Sequence, residues 1–192
     1  MIADNRDYVT NIIDTYLRLT DDEISQGIHW YDRARELAIE WANGDVWKGA
    51  GVIAAYSPLT PWWRNMELAE STLTTGAVRI DTLKMNAMKA SRIMDGEDPL
   101  TVLNGPKLRA FASAIADPNT DLITIDSHAH SIAIGRHLFT QQSKLGVKSR
   151  REIVAAYAEA AELAGYHVSA FQAMTWVGWR NRHVNKAARK RG

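Results

Sequence analysis

The chain has 192 residues, of which 46% are hydrophobic and 23% charged, and its net charge is +1. That is enough apolar material for one sizeable core or two small lobes sharing a cleft, and too little net charge for a nucleic-acid affinity spread over the whole surface. Cysteine is absent, which excludes disulfides, thiolate zinc sites, cysteine-ligated iron–sulfur clusters and a cysteine nucleophile, and fits a reducing compartment.

The opening MIADNRDYVT has no basic stretch followed by an apolar run, so no secretory signal is expected. Tyr8, Val9, Ile12, Ile13, Tyr16 and Leu17 recur at helical spacing and form one apolar stripe. Thr20 and Glu23 match a capping box, opening a helix with Ile24, Ile28, Tyr31, Leu37, Ala38 and Trp41 that Gly44 ends. Residues 47–56, WKGAGVIAAY, are apolar on every side, as in a helix buried at the centre of a molecule. Ser57-Pro58 stops it, and Thr60 reads as the N-cap of a helix with Pro61 in its first position and Trp62, Met66, Ala69 and Leu73 along one stripe.

A helix over 81–94 presents Leu83, Ala87, Ala90 and Met94 on one face and closes at Asp95-Gly96. Pro99 to Leu103 is a short link, and Gly105-Pro106 turns into a helix over 107–116. DPNTD at 117–121 is a polar loop, ITI at 123–125 is the one strand candidate, and the helix after Asp126 runs to about Phe139. Ser149 and Glu152 suggest a second capping box opening a helix over 150–163, which Gly165 ends. The last helix starts near Ser169 and carries Phe171, Met174, Val177 and Gly178. The expectation is a single all-α domain over 1–192, with a core lobe over 47–139 and a second lobe from 1–46 plus 149–192. No apolar run is long enough to span a bilayer, so no membrane contact is expected.

Asp126 is the residue on which a functional reading turns. An aspartate at a helix start is a good N-cap. The same position, in a cleft, places a carboxylate where it can stabilise a developing positive charge or activate a nucleophile. Lys107, in the first turn after Gly105-Pro106, is either a solvated surface residue or an amine nucleophile. His128 and His130 are two apart and point to different faces of a helix, and no HExxH-type pairing completes a site, so neither a metal nor a cofactor is expected. Trp62 and Trp63 lie about 100° apart on a helix. They are either one core and one half-exposed ring, or a stacking surface for a base with Arg64 on phosphate and Asn65 beside it. Arg180, Arg182, Lys186, Arg189, Lys190 and Arg191 form a basic C-terminal segment, either a solvated tail or a nucleic-acid patch.

Four of these segments, in this order, resemble the helix-hairpin-helix, endonuclease III-like superfamily of DNA glycosylases over roughly residues 49–137. GVIAAYSPLTPWWRNMELAESTL is similar to that family's central buried helix, its intercalating loop and the helix after it. NAMKASRIMDGEDP is similar to a helix with Asn and Lys-Ala, LNGPKLRAFASAI to the hairpin, and ITIDSHAHSIAIGR to the segment with the catalytic aspartate. The resemblance implies a two-lobed helical fold with a degenerate hairpin and DNA as partner. It also implies Asp126 as catalytic aspartate, Lys107 on or beside the Schiff-base position, and Ser57, Pro58 and Leu59 on the loop that wedges into DNA during base flipping. His128 and Arg136 fall in the aspartate segment. The hairpin departs from the family: its second glycine is missing and Pro106 has no N–H, where the family uses Gly105-type backbone amides to hold a phosphate.

A bacteriophage branch of that superfamily, the α-glutamyl/putrescinyl thymine pyrophosphorylase group, is also similar in its cysteine-free form, degraded hairpin, Trp pair and IDSHAH segment. It implies a second chemistry: Asp126 would deprotonate an incoming amine or amino acid co-substrate, and Arg64, Lys107 or Arg136 would meet the pyrophosphate leaving a modified 5-hydroxymethyluracil. The implied location is the cytoplasm, that of the bacterial host for a phage protein. A third reading is a non-catalytic DNA- or protein-binding module that keeps the fold alone.

Overall fold

The structure, a computed structural model, describes residues 5–138 and 145–183. The described residues are helical or irregular, with no strand among them. The helices are α1 (Asn5–Tyr16), α2 (Asp21–Ile28), α3 (Trp30–Trp41), α4 (Val46–Tyr56), α5 (Trp62–Thr75), α6 (Lys84–Met94), α7 (Pro99–Val102), α8 (Pro106–Ala116), α9 (Ser127–Ile134), α10 (Val147–Ala164) and α11 (Val168–His183). None is long and apolar enough to cross a membrane. The chain divides into a terminal unit, Met1–Tyr31 with Ile123–Gly192, and a middle unit, Asp32–Leu122. Both limits of the middle unit lie about fifteen residues before the expected ones, so the Asp126 helix belongs with the termini. The reason is packing: α9 lies against α1, α10 and α11, and its Ala129, Ile132 and Ala133 enter the core made by Tyr8, Ile12, Ile153, Tyr157 and Phe171.

The middle unit is built around α4. Every residue from Gly49 to Tyr56 is buried, and α5, α6, α7 and α8 pack against this helix. Its small residues allow close approach: a Cβ on Gly49 would stand 2.2 Å from the Ala38 carbonyl oxygen. Asp45 caps α4 by accepting from Lys48 N at 3.0 Å. In the terminal unit α2 crosses α11 equally closely, since a Cβ on Gly27 would stand 2.3 Å from Met174 Cα. The Thr20–Glu23 capping box is present, and Glu23 also accepts from Arg182 at 2.8 Å and Asn181 at 3.2 Å.

Several local expectations are corrected. Leu17 lies past the end of α1 and is 71% exposed, so it is outside the stripe. The expected long helix after Thr20 breaks at His29, which leaves the helical region with ψ 11°. Pro61 is itself the N-cap of α5, with no side-chain cap bond, and the Thr60 hydroxyl donates to Pro58 O at 3.2 Å. α6 starts at Lys84, since Asp81 is drawn out of the helix by Arg79 and Arg64. Residues 147–149 are already helical, so Gly146 is the N-cap of α10 and Ser149 lies within the first turn. α9 ends at Ile134 because Gly135 turns left-handed, with φ 73°; Phe139 is outside the described residues. ITI at 123–125 is buried but not a strand: Ile123 and Ile125 anchor the core.

Candidate functional site around Asp126

The site follows from how α9 is fixed. Ile123 and Ile125 are apolar anchors, and Arg150 donates to Ile125 O at 3.1 Å, which sets the backbone entering the helix. Asp126 is the N-cap. Its Oδ1 accepts from His128 N at 2.9 Å and Ala129 N at 2.8 Å, so the bland reading of this residue is correct as far as one oxygen goes. The other oxygen is not bound to a local amide. Oδ2 accepts from the indole Nε1–H of Trp176 at 3.2 Å, fifty positions further along the chain. Every partner is a donor, and the carboxyl is half-buried.

Trp176 belongs to a set of three. Gln172, Trp176 and Arg180 stand four residues apart on α11 and therefore share one face. Gln172 is buried, with its amide nitrogen 3.4 Å from Thr124 O and its oxygen accepting from the Tyr31 hydroxyl at 3.3 Å. The Arg180 guanidinium carbon lies 4.6 Å from the centre of the Trp176 ring. Trp30 meets that ring edge-on at 5.6 Å and Tyr31 meets Trp30 at 4.9 Å; His128 approaches Trp176 at 6.4 Å, also edge-on. Burial pushes the Tyr31 and Tyr157 hydroxyls well above the ordinary tyrosine range, and the nearby charge of Asp126 adds to it. Burial lowers the Arg180 guanidinium from its ordinary value, and Asp126 works against that. The result is a carboxylate with both oxygens oriented, beside aromatic rings and a half-buried cation. It can stabilise a positive centre or take a proton.

Of the residues singled out in the sequence, Asp126, His128 and Arg180 come together here, and Arg136 is an exposed residue just past the end of α9. Lys107 is half-buried in the first turn of α8, in the middle unit. Gly105, with φ 87°, helps line a recess of about 440 Å³ with Asn104, Pro106, Arg109 and Leu122. Three assignments need correction. Arg64 pairs with Glu67 at 2.6 Å and with Asp81, so its charge is answered by acids where a phosphate was expected. Asn65 is 1% exposed and faces the interior. Arg182 is clasped by Glu23 and Arg18 O, a tie within the fold. The tryptophan pair is neither core nor symmetrical: Trp62 is half-buried and Trp63 is 69% exposed. Lys186, Arg189, Lys190 and Arg191 lie outside the described residues. No three His, Asp or Glu side chains converge on a metal position among the described residues.

The loop after α4 has a definite shape. The Ser57 hydroxyl donates back to Ala54 O at 2.9 Å, and the buried Asn86 amide donates to Pro58 O at 3.0 Å and Tyr56 O at 3.3 Å. Leu59 at the tip has φ 56°, a left-handed conformation that costs a leucine about 1 kcal/mol or more, and it is 85% exposed. What sequence reading missed is Trp176 and its neighbours on α11; the Gln-x3-Trp-x3-Arg spacing was the available signal.

Comparison with known proteins found no match among curated proteins and none among solved structures. One family model does match, over residues 2–183, and the chain therefore belongs to the family of unknown function DUF7178.

Proposed function

We propose that this protein is a DNA-base-acting enzyme of the glycosylase type, in which Asp126 is the working carboxylate. The observation that carries the reading is the second oxygen of Asp126. A cap needs only one oxygen, which two amides already hold, yet the other is oriented by an indole N–H within an aromatic surround. Such a group supports the positive charge that grows on a deoxyribose as its bond to the base breaks. In that step the C1′–N bond electrons leave with the base, water adds at C1′, and its proton passes to solvent or to the departing base. The middle unit's loop supports the same reading. An exposed leucine held in a strained conformation by a buried asparagine is a rigid apolar tip, the kind of group that enters a base stack when a nucleotide is turned out.

The test is mass analysis of nucleosides after incubating the protein with DNA carrying unmodified and hypermodified thymines. The reading expects free base and abasic sites, abolished by Asp126→Asn. An intact strand of increased mass would favour the amine transferase. DNA binding with no product, and no change on Asp126→Asn, would leave a binding module.

A further inference from the structure

Arg180 differs from the other arginines whose contacts define the fold. Arg35, Arg109 and Arg150 donate to the carbonyls of Ala116, Leu103 and Ile125, while Arg79, Arg92 and Arg182 pair with Asp81, Glu97 and Glu23. Arg180 is half-buried and has neither a hydrogen bond nor an ion pair among the described residues; its contact is with the face of Trp176. An aromatic face attracts a guanidinium and fixes where it stands, but offers no acceptor oxygen to its five N–H donors. At half burial the guanidinium is partly desolvated while its donors still open to solvent, so a ligand that supplies acceptor oxygens can reach it and gains from its charge. Asp126 is close enough to act on it electrostatically but forms no ion pair with it; its second oxygen accepts from the Trp176 indole instead.

We propose that Arg180 is the anion-binding half of the Asp126 site and receives the phosphoryl group of a nucleotide. The geometry favours a nucleotide over a bare anion. Phosphoryl oxygens match the guanidinium fork, and the neighbouring rings of Trp176, Trp30 and His128 offer flat apolar surface to a base or sugar. Asp126 repels a bare anion but attracts a sugar developing positive charge. The inference rests on the proposed reading of Asp126 for the identity of the ligand, though not for its binding.

The test uses the full chain and reads binding without turnover. The indole N–H signal of Trp176, assigned by its loss in Trp176→Phe, is followed by NMR during titration with inorganic pyrophosphate and, separately, with a short oligothymidylate. At least the oligothymidylate is expected to move this signal. Arg180→Met, which keeps an apolar stem on the ring, should weaken that ligand roughly tenfold or more. Arg180→Lys should bind between the two and guards against a misfolded methionine variant. Asp126→Asn should tighten pyrophosphate a few-fold by removing a like charge. Response to the oligonucleotide, with or without pyrophosphate, supports a nucleotide phosphate, and response to pyrophosphate alone would overturn the nucleotide assignment. Unchanged affinity in Arg180→Met, an unmoved Trp176 signal with both ligands, or pyrophosphate binding indifferent to Asp126→Asn would overturn the proposal. Arg180-dependent binding with no base release from any DNA would instead count against the glycosylase reading alone.

Discussion

Asp45 and Asp126 each begin a helix, α4 in the middle unit and α9 in the terminal unit. Asp45 is exposed and accepts from Lys48 N. Asp126 is half-buried, accepts two backbone amides on one oxygen, and gives the other to Trp176. The same residue type in the same helical position thus has two surroundings. A cap is a local device that any helix start can use, whereas the second oxygen of Asp126 is oriented by a helix far away in sequence. The units differ in the same way. The middle unit places its charges in exposed pairs, Arg64 and Arg79 with Asp81, and Arg92 with Glu97. The terminal unit instead buries a charged group, Glu23, which Arg182 pairs with at 2.8 Å.

The strongest way to break the contrast is to move α11. Gly27→Val drives side-chain atoms into the Met174 backbone and should cost about 3 kcal/mol or more in thermal or denaturant unfolding. The Trp176 environment should change with it. Gly76→Ala is the control: φ is 75° but nothing lies within 4 Å, so about 1 kcal/mol is expected. Trp176→Phe is more selective. It keeps a ring but removes the donor to Asp126, and should cost about 2 kcal/mol, a loss with no counterpart at Asp45.

Alkali sharpens the comparison. The Tyr31 and Tyr157 hydroxyls titrate above the ordinary value of 10.0 in the folded protein, so the native state holds those protons more tightly than the unfolded chain does. Their contribution is complete below pH 10.0 and is lost as the pH rises beyond it. Tyr31→Phe should flatten that alkaline loss, while costing roughly 1 kcal/mol at neutral pH through the Gln172 and Thr124 bonds. The middle unit has an acid-side counterpart. Arg79 holds the Asp81 carboxyl far below the usual carboxylate range, so its pairing is complete above pH 3.8 and weakens as the pH falls further. The smallest effect is Asp45→Ala, about 1 kcal/mol by melting and no more than an exposed cap is worth.

Local rules made much of this legible in sequence. The all-round apolarity of residues 47–56 marked a central helix, buried from Gly49 onward although Trp47 is 40% exposed; Thr20 and Glu23 marked a helix start, and Gly44, Gly96 and Gly165 marked stops. What periodicity could not show was which elements meet. Whether Asp126 packs with the middle of the chain or with its ends depends on α1, α10 and α11, and nothing in ITIDSHAH encodes those partners. The fate of Arg64 was equally hidden, because the acid that takes it, Asp81, lies in a loop seventeen positions on. Trp176 went unnoticed for a related reason: a tryptophan beside Met174 and Val177 reads as core until its N–H is seen to point at a carboxylate.

The most direct measurement is product formation on thymine-modified DNA by Asp45→Asn and Asp126→Asn side by side, each also melted. The account predicts that Asp45→Asn, whose asparagine still caps the helix, melts within about 0.5 kcal/mol of the wild type and keeps its turnover, and that Asp126→Asn loses roughly a hundredfold or more in turnover. Equal turnover in the two variants, or no product from the wild type, would contradict it.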